Sequence, residues 1–175
     1  MPEGIRPTQN LVRKALFDVI GDELLGCDFL DLFAGSGAVG LEALSNGAKS
    51  ACFVEADPKC VEVITANIIL LDLIAHVKQG LMYTVIHAEA FASIKQIVRR
   101  GNKYDIIFVD PPYGRELGKK ILKTLEAYDI VRTNCLIIIE HEKSEKLPEV
   151  SGKFFRNEQR KYGASVLSFY RLRSN

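Results

Sequence analysis

Little in this 175-residue sequence points to a membrane, a metal or an oxidising compartment. No uninterrupted apolar run is long enough to cross a bilayer, and no basic segment near the amino end leads into an apolar stretch. A soluble, cytoplasmic protein is expected. The four cysteines, Cys27, Cys52, Cys60 and Cys135, lie far apart with no Cys-x-x-Cys pair, which argues against both a zinc site and a disulfide framework. His76, His87 and His141 are scattered without ligand spacing, so no metal is expected. Net charge is nearly absent as well. Lys and Arg number 23 against 22 Asp and Glu, leaving +1, so any nucleic-acid surface must be a local patch rather than a global field. Internal repeats, low-complexity tracts and linkers are also missing, which implies a single domain over residues 1–175.

What is present has the composition of a globular domain, 47% hydrophobic and 26% charged. Apolar runs of strand length recur at Phe29 to Phe33, Ala51 to Val54, Tyr83 to Ile86, Ile106 to Val109 and Leu136 to Ile139, separated by segments of helical spacing. That alternation predicts an α/β fold with a mostly parallel, doubly wound sheet of Rossmann-like type. Between the second and third runs, Asp57 is placed to cap and Pro58 to start a helix whose Val61, Ile64, Ile68 and Leu71 share one face. The opening segment predicts a helix over 8–20, with Thr8 as cap and Leu11, Ala15, Leu16 and Val19 as the stripe that packs on the sheet. From Lys153 two strand-like pieces flank Tyr162-Gly163 with no helix between them, predicting an antiparallel carboxyl-terminal hairpin.

The stretch DLFAGSGAVGLEAL, from Asp31 to Leu44, contains Gly-x-Gly-x-x-Gly at Gly35, Gly37 and Gly40. Glycines permit a sharp strand-to-helix turn and close approach of a ligand to the backbone. The pattern alone is equally compatible with a tight turn that binds nothing, and context must separate the readings. A carboxylate at Asp31 would repel a pyrophosphate but attract an ammonium group. Glu55 ends the next apolar run, where an acid can accept both hydroxyls of an unmodified ribose. Ribose plus ammonium without phosphate describes S-adenosylmethionine better than a nicotinamide cofactor. The bland readings are a solvated strand end for Asp31 and a helix-initiating acid for Glu55.

The fourth run leads directly into Asp110-Pro111-Pro112-Tyr113, which by strand order faces the same crevice. Paired prolines can simply stop a strand, and a tyrosine can simply cover a core. The chemistry offers more. An exocyclic base amine is a poor nucleophile because its lone pair is delocalised into the ring, so acceptors for its N–H hydrogens are needed. The Asp110 carboxylate and Pro111 carbonyl are such acceptors, and the Tyr113 ring can stack on a flipped-out base.

Taken together, RPTQNLVRKALFDVI, DLFAGSGAVGLEALSNGA, FVEADP, DPPY and KYGASVLSFYR resemble the RsmD family of bacterial 16S ribosomal RNA guanine-N2 methyltransferases over almost the whole chain. The resemblance implies an S-adenosylmethionine-dependent enzyme whose partner is 16S ribosomal RNA, within an assembling small subunit, with no membrane. By position it makes Asp31, Phe33, Gly35, Ser36, Gly37, Glu55 and Ala56 cofactor contacts, places Arg6 and Thr8 near the methionyl end, and makes Asp110, Pro111, Pro112 and Tyr113 the catalytic loop. Where the family carries Asp-Ala after the third strand this chain has HAEA, so Glu89 and Ala90 fill those places. Ahead of Arg6-Pro7-Thr8 the family carries a basic, glycine-containing extension, and here only MPEGI precedes, so part of the RNA surface is expected to be missing.

Two local basic clusters are candidates for an RNA track: Lys119, Lys120 and Lys123 on the helix after the catalytic loop, and Lys153, Arg156, Arg160 and Lys161 near the carboxyl end. Most such clusters are solvated faces. Competing functions are an adenine-N6 or protein-amide methyltransferase using the same tetrapeptide, a dehydrogenase using the glycine loop for NAD, and a non-catalytic RNA-binding domain.

Overall fold

The computed structural model describes residues 7–75, 82–114 and 116–173. Helix α1 (Pro7–Ile20) runs through one 3-10 turn into β1 (Asp28–Asp31). Alternation follows: α2 (Ala38–Ser45), β2 (Ser50–Glu55), α3 (Pro58–Ala75), β3 (Met82–His87), α4 (Ala90–Arg99), β4 (Tyr104–Val109), α5 (Leu117–Ala127) and β5 (Val131–Glu142). The chain closes with β6 (Val150–Ser151), β7 (Phe154–Tyr162) and β8 (Ser165–Leu172). These strands form one sheet in the order β3-β2-β1-β4-β5-β8-β7-β6. The first five are parallel, and β8, β7 and β6 add on antiparallel.

The parallel strands are short apolar runs because helices cover both faces, which leaves little room for polar alternation. On one face α1, α2 and α3 pack through Val12, Leu16, Ile20, Ala43, Ile64 and Ile68 onto Phe29, Phe53, Phe108 and Ile138. The other face packs α4 and α5 through Ile94, Ile97, Ile121, Leu122 and Leu125 onto Leu30, Cys52, Val54, Ile107 and Ile139. Burying each such side chain is worth about 1.5–3 kcal/mol, so the doubly covered centre carries most of the driving force. At the amino ends of β1 and β4, Arg132 bridges Asp28 at 2.7 Å and Asp105 at 2.6 Å.

The expected elements are present, with local corrections. Asp57 caps α3, its Oδ1 accepting the Lys59 N–H at 2.8 Å. Helix α1 starts at Pro7, so Thr8 lies inside its first turn instead of capping it; a proline is suited to that first position because its missing N–H would have no partner there. The buried stripe of α1 is Val12, Leu16 and Ile20, whereas Leu11 is 57% exposed. The hairpin turns at Gly163-Ala164, with Gly163 in the left-handed region at φ 60°. Among the described residues no helix is long and apolar enough to cross a membrane.

Candidate active site

Each of four neighbouring strands runs from apolar residues into an acid: Leu30-Asp31 on β1, Val54-Glu55 on β2, Val109-Asp110 at the end of β4 and Ile139-Glu140 on β5. Side chains alternate across a strand, so a residue shares its face with the one two positions earlier. Those earlier residues are Phe29, Phe53, Phe108 and Ile138, all in the cluster beneath α1, α2 and α3. The acids therefore form one row on that face, at the carboxyl ends of the strands, in the order Glu55, Asp31, Asp110, Glu140. With strands about 4.8 Å apart the row is about 14 Å long. Its middle, between β1 and β4, is where the sheet order reverses, the point at which open α/β sheets bind ligands.

Asp31 is the most constrained of the four. It is 1% exposed, and its Oδ2 accepts the Gly40 N–H at 3.3 Å. Its Oδ1 is buried with no partner among the described residues. Burial pushes its pKa up to about 7, the backbone N–H groups of Gly40 and Phe33 pull it down in part, and the Glu55 charge adds to the rise. A buried acid with one unsatisfied oxygen suits a cationic hydrogen-bond donor, the group that an amino-acid ammonium offers. That orphaned oxygen is the observation that fits an S-adenosylmethionine methionyl end to this loop.

The glycine loop holds its shape by backbone means. Gly35 and Gly37 have φ of 54° and 80°, and the Gly37 N–H donates to the Ala34 carbonyl at 2.7 Å. Gly40, in the first turn of α2, lies against Phe53, and a Cβ there would collide with the ring. Ser36 is exposed, and its carbonyl accepts the Asn67 amide at 3.2 Å, which ties the loop to α3. Phe33 is half-buried against the opposite core. Glu55 braces the same loop: Oε2 accepts the Gly35 N–H at 2.8 Å, and Oε1 accepts those of Ala56 and Asp57 at 2.9 Å each. A carboxylate has about four acceptor positions, so capacity remains for a hydroxyl donor.

Glu89 and Ala90 lie beside Glu55, because the Ala88 N–H donates to the Glu55 carbonyl at 3.0 Å. Glu89 is exposed at the amino cap of α4 without a side-chain capping bond, and Ala90 is buried behind it. Arg6 lies outside the described residues, as does the side chain of Thr8.

Beyond Asp31 the row enters the second loop. Pro111 is buried, while Asp110, Pro112 and Tyr113 are exposed, Tyr113 by 51%. Asp110 is exposed yet crowded by protein. Desolvation, then the charges of Glu140 and Asp31, raise its pKa. The loop ends at Glu116, the one non-glycine among the described residues with positive φ, at 48°. Such a backbone is sparsely populated and clusters at functional loops.

Two residues that sequence reasoning did not single out join this site. Glu140 is half-buried, and burial raises its pKa against a Ser165 hydroxyl that lowers it. Ser165 also lowers the pKa of Tyr113, against desolvation and the charges of Glu140, Asp110 and Glu142, which leave it raised. Ser165 pairs with Glu142 across β5 and β8, so it shares the face of the acidic row. The available signal was the repeated step from apolar residue to acid, which Glu140 follows like the other three.

The basic candidates are not brought together into one patch. On β7, Arg156 pairs with Tyr170 of the α4–α5 core, and Arg160 with Leu167 of the other core, so they point to opposite faces. Asn157 has no partner in that ladder, and this bulge switches the faces. Arg156 is an internal strap, donating to the Leu147 carbonyl at 3.0 Å. Arg160 is paired to Glu158 at 2.5 Å, and Lys161 is exposed. Lys120 and Lys123 are exposed on α5, and Lys119 pairs with Glu116 at 3.0 Å. Two surface concavities, of about 490 and 930 Å³, lie at the amino ends of the parallel strands around Lys103, away from the acidic row.

The family described as conserved hypothetical protein 95 matches residues 1–171. The chain belongs to this family. Ribosomal RNA small subunit methyltransferase D of Escherichia coli K12 is 32% identical over 167 residues, 95% of this chain and 79% of that protein. Among solved structures, one named "Putative methyltransferase yhhF from Escherichia coli" is similar with a TM-score of 0.83 and 30% identity, covering 99% of this chain and 91% of that one. A structure named "Crystal structure of SMU.776, a putative methyltransferase complexed with SAH" shares the fold at a TM-score of 0.72 and 17% identity, over 96% of this chain and 50% of that one.

Proposed function

We propose that this chain transfers a methyl group from S-adenosylmethionine to the exocyclic N2 amine of a guanine in 16S ribosomal RNA, as one catalytic domain acting on the assembling small subunit. The broader part follows from the family, whose members include ribosomal RNA methyltransferases. The observation that carries the finer part is the adjacency of two acids with different surroundings. Asp31 is buried with an unused oxygen beside the glycine loop, and Asp110 stands on the next strand at the head of a rigid Pro-Pro-Tyr loop.

In this reading Asp31 holds the cofactor ammonium, Glu55 a ribose hydroxyl through its remaining acceptor position, and the backbone from Phe33 to Gly37 the space between them, with Ala56, Glu89 and Ala90 flanking the adenine. Bound there, S-adenosylmethionine supplies the electrophilic methyl group. The chain's own residues do the rest. Asp110 and the Pro111 carbonyl accept the amine hydrogens, which localises the nitrogen lone pair, and Tyr113 stacks on the base. The two prolines hold the acceptors with little conformational freedom left to lose. Lys119, Lys120, Lys123, Arg160 and Lys161 are proposed to meet phosphates, Arg156 bracing the strand behind them.

The test is to incubate the protein with labelled cofactor and small ribosomal subunits from a strain lacking it, then digest the RNA and the proteins separately and identify the product by mass spectrometry. N2-methylguanosine at one position is expected. Label in N6-methyladenosine, or only in a ribosomal protein, would replace this reading with the amino-methyltransferase rival. Retention of RNA with no transfer would replace it with a binding domain.

A further inference from the structure

The proposed chemistry uses three of the four acids in the row and leaves Glu140 without a task. Its position is not incidental. Parallel pairing of β4 with β5 sets Val109 against Ile139, so Glu140 stands beside Asp110, one strand further from Glu55 and Asp31. If the row is followed from the ribose acid through the ammonium acid to the amine acceptor, the next position falls on the base itself, beyond its reacting nitrogen. Glu140 is half-buried, shares the face of the other three, and belongs to the same local electrostatic group as Tyr113 and Ser165. No ion pair holds it among the described residues.

Base chemistry narrows what such an acid can read. A guanine presents two adjacent donors on its Watson–Crick edge, the N2 amine and N1–H. An adenine amine is flanked by ring nitrogens that only accept. Acids on two adjacent strands can each turn an oxygen toward one of a pair of neighbouring donors, and an ionised one facing a ring acceptor would repel it. A carboxyl that reads a buried donor rejects an analogue lacking it far more strongly than an apolar wall can.

We infer that Glu140 is the specificity-determining residue of this site, its carboxylate accepting guanine N1–H while Asp110 and the Pro111 carbonyl accept the N2 amine. The inference rests on the guanine reading above and adds to it a reason for rejecting adenine and other 2-amino purines. Ser165, on β8 and on the same face, lowers the Glu140 pKa against the rise that burial gives.

The test uses 2,6-diaminopurine, which keeps the 2-amino group but carries an acceptor at N1. A small-subunit RNA fragment is made with guanine or with 2,6-diaminopurine at the nucleotide mapped above, and kcat/KM is measured for both. Binding of each fragment is followed in parallel by fluorescence anisotropy. Wild type should prefer guanine by more than about 200-fold, beyond what an apolar wall supplies. Glu140→Gln keeps size and polarity but adds an amide donor that can meet N1 of the analogue, so it should cut that preference at least tenfold, in binding as well as in turnover. Unchanged affinity for S-adenosylhomocysteine in Glu140→Gln would show the fold and cofactor site intact. If that variant fails to fold, Ser165→Ala, which removes the hydroxyl that favours the ionised form of Glu140, should erode the same preference more mildly. A wild-type preference below twofold, or one that neither substitution moves, would overturn the role of Glu140 while leaving guanine methylation standing. Methylation mapped to an adenine, or to no base, would overturn both readings together.

Discussion

Asp31 gives the sharpest quantitative handle on the cofactor site. Its carboxyl is raised to about 7 by burial, so near pH 6 it is about 90% protonated, and near pH 7 about half. An ammonium group needs the ionised form. Binding of S-adenosylhomocysteine should therefore expel about 0.9 proton near pH 6 and about 0.5 near pH 7, and affinity should rise about fivefold between them. Calorimetry in two buffers of different ionisation enthalpy reads the proton count directly. Asp31→Asn cannot titrate, so it should abolish the pH-linked release and weaken binding by roughly the 1.5–3 kcal/mol of a charge-assisted hydrogen bond. The same shift acts on folding. The folded acid holds its proton up to about pH 7 and the unfolded one loses it near 3.8, so the folded state binds more protons in between and stability falls as pH rises through that window. The penalty, absent below about pH 4, reaches about 4 kcal/mol above pH 7. Asp31→Asn should flatten that part of the Tm profile. Wild-type binding near pH 6 with no proton release, or the same release from Asp31→Asn, would refute the assignment of Asp31 to the ammonium.

Asp110→Ala should lower single-turnover methyl transfer by about 10²- to 10⁴-fold with cofactor affinity nearly intact, and Asp110→Asn should retain more activity because its amide oxygen still accepts one amine hydrogen. Near-normal transfer by Asp110→Ala would remove it from the chemistry. Tyr113→Phe keeps the stacking ring and should be mild where Tyr113→Ala is severe; equal damage from both would point to the hydroxyl. Gly40→Ala forces a methyl group into the Phe53 ring and should cost about 1–3 kcal/mol in urea unfolding, with wild-type stability counting against that packing. Arg160→Gln with Lys161→Gln should lower the salt dependence of RNA binding by about one to two phosphate contacts, and an unchanged slope would move the RNA surface to α5.

The centre of the fold was readable because strands covered on both faces are written as apolar runs, and the acids that end them stand out. Reading became less accurate where pairing, not composition, decides. Only Leu136 to Ile139 of β5 are recognisable as a strand, yet it extends from Val131 to Glu142 because β4 and β8 supply hydrogen-bonding partners for its polar ends. Glu140 fell outside the run for that reason. The two-residue β6 has no pattern of its own and exists only against β7. In α1 both Leu11 and Val12 suit a helix, and the angle at which the helix meets the sheet selects Val12. At the site, the residue types of Asp31, Glu55 and Asp110 were visible, whereas the orphaned oxygen of Asp31 and the bracing of Gly35 by Glu55 depend on three-dimensional placement.

The unpaired Asn157 makes β7 a strand in which one residue of length decides which side a charge occupies. A single-residue deletion there would restore strict alternation and force one half of the strand to rotate by a half-turn. Either Arg156 would leave its seat on the Leu147 carbonyl, or Arg160 and Tyr162 would exchange sides with Lys161. In this hairpin a one-residue change in length would therefore do more harm than most replacements of side chains, and related sequences would be expected to vary in the letters of this segment far more readily than in their number.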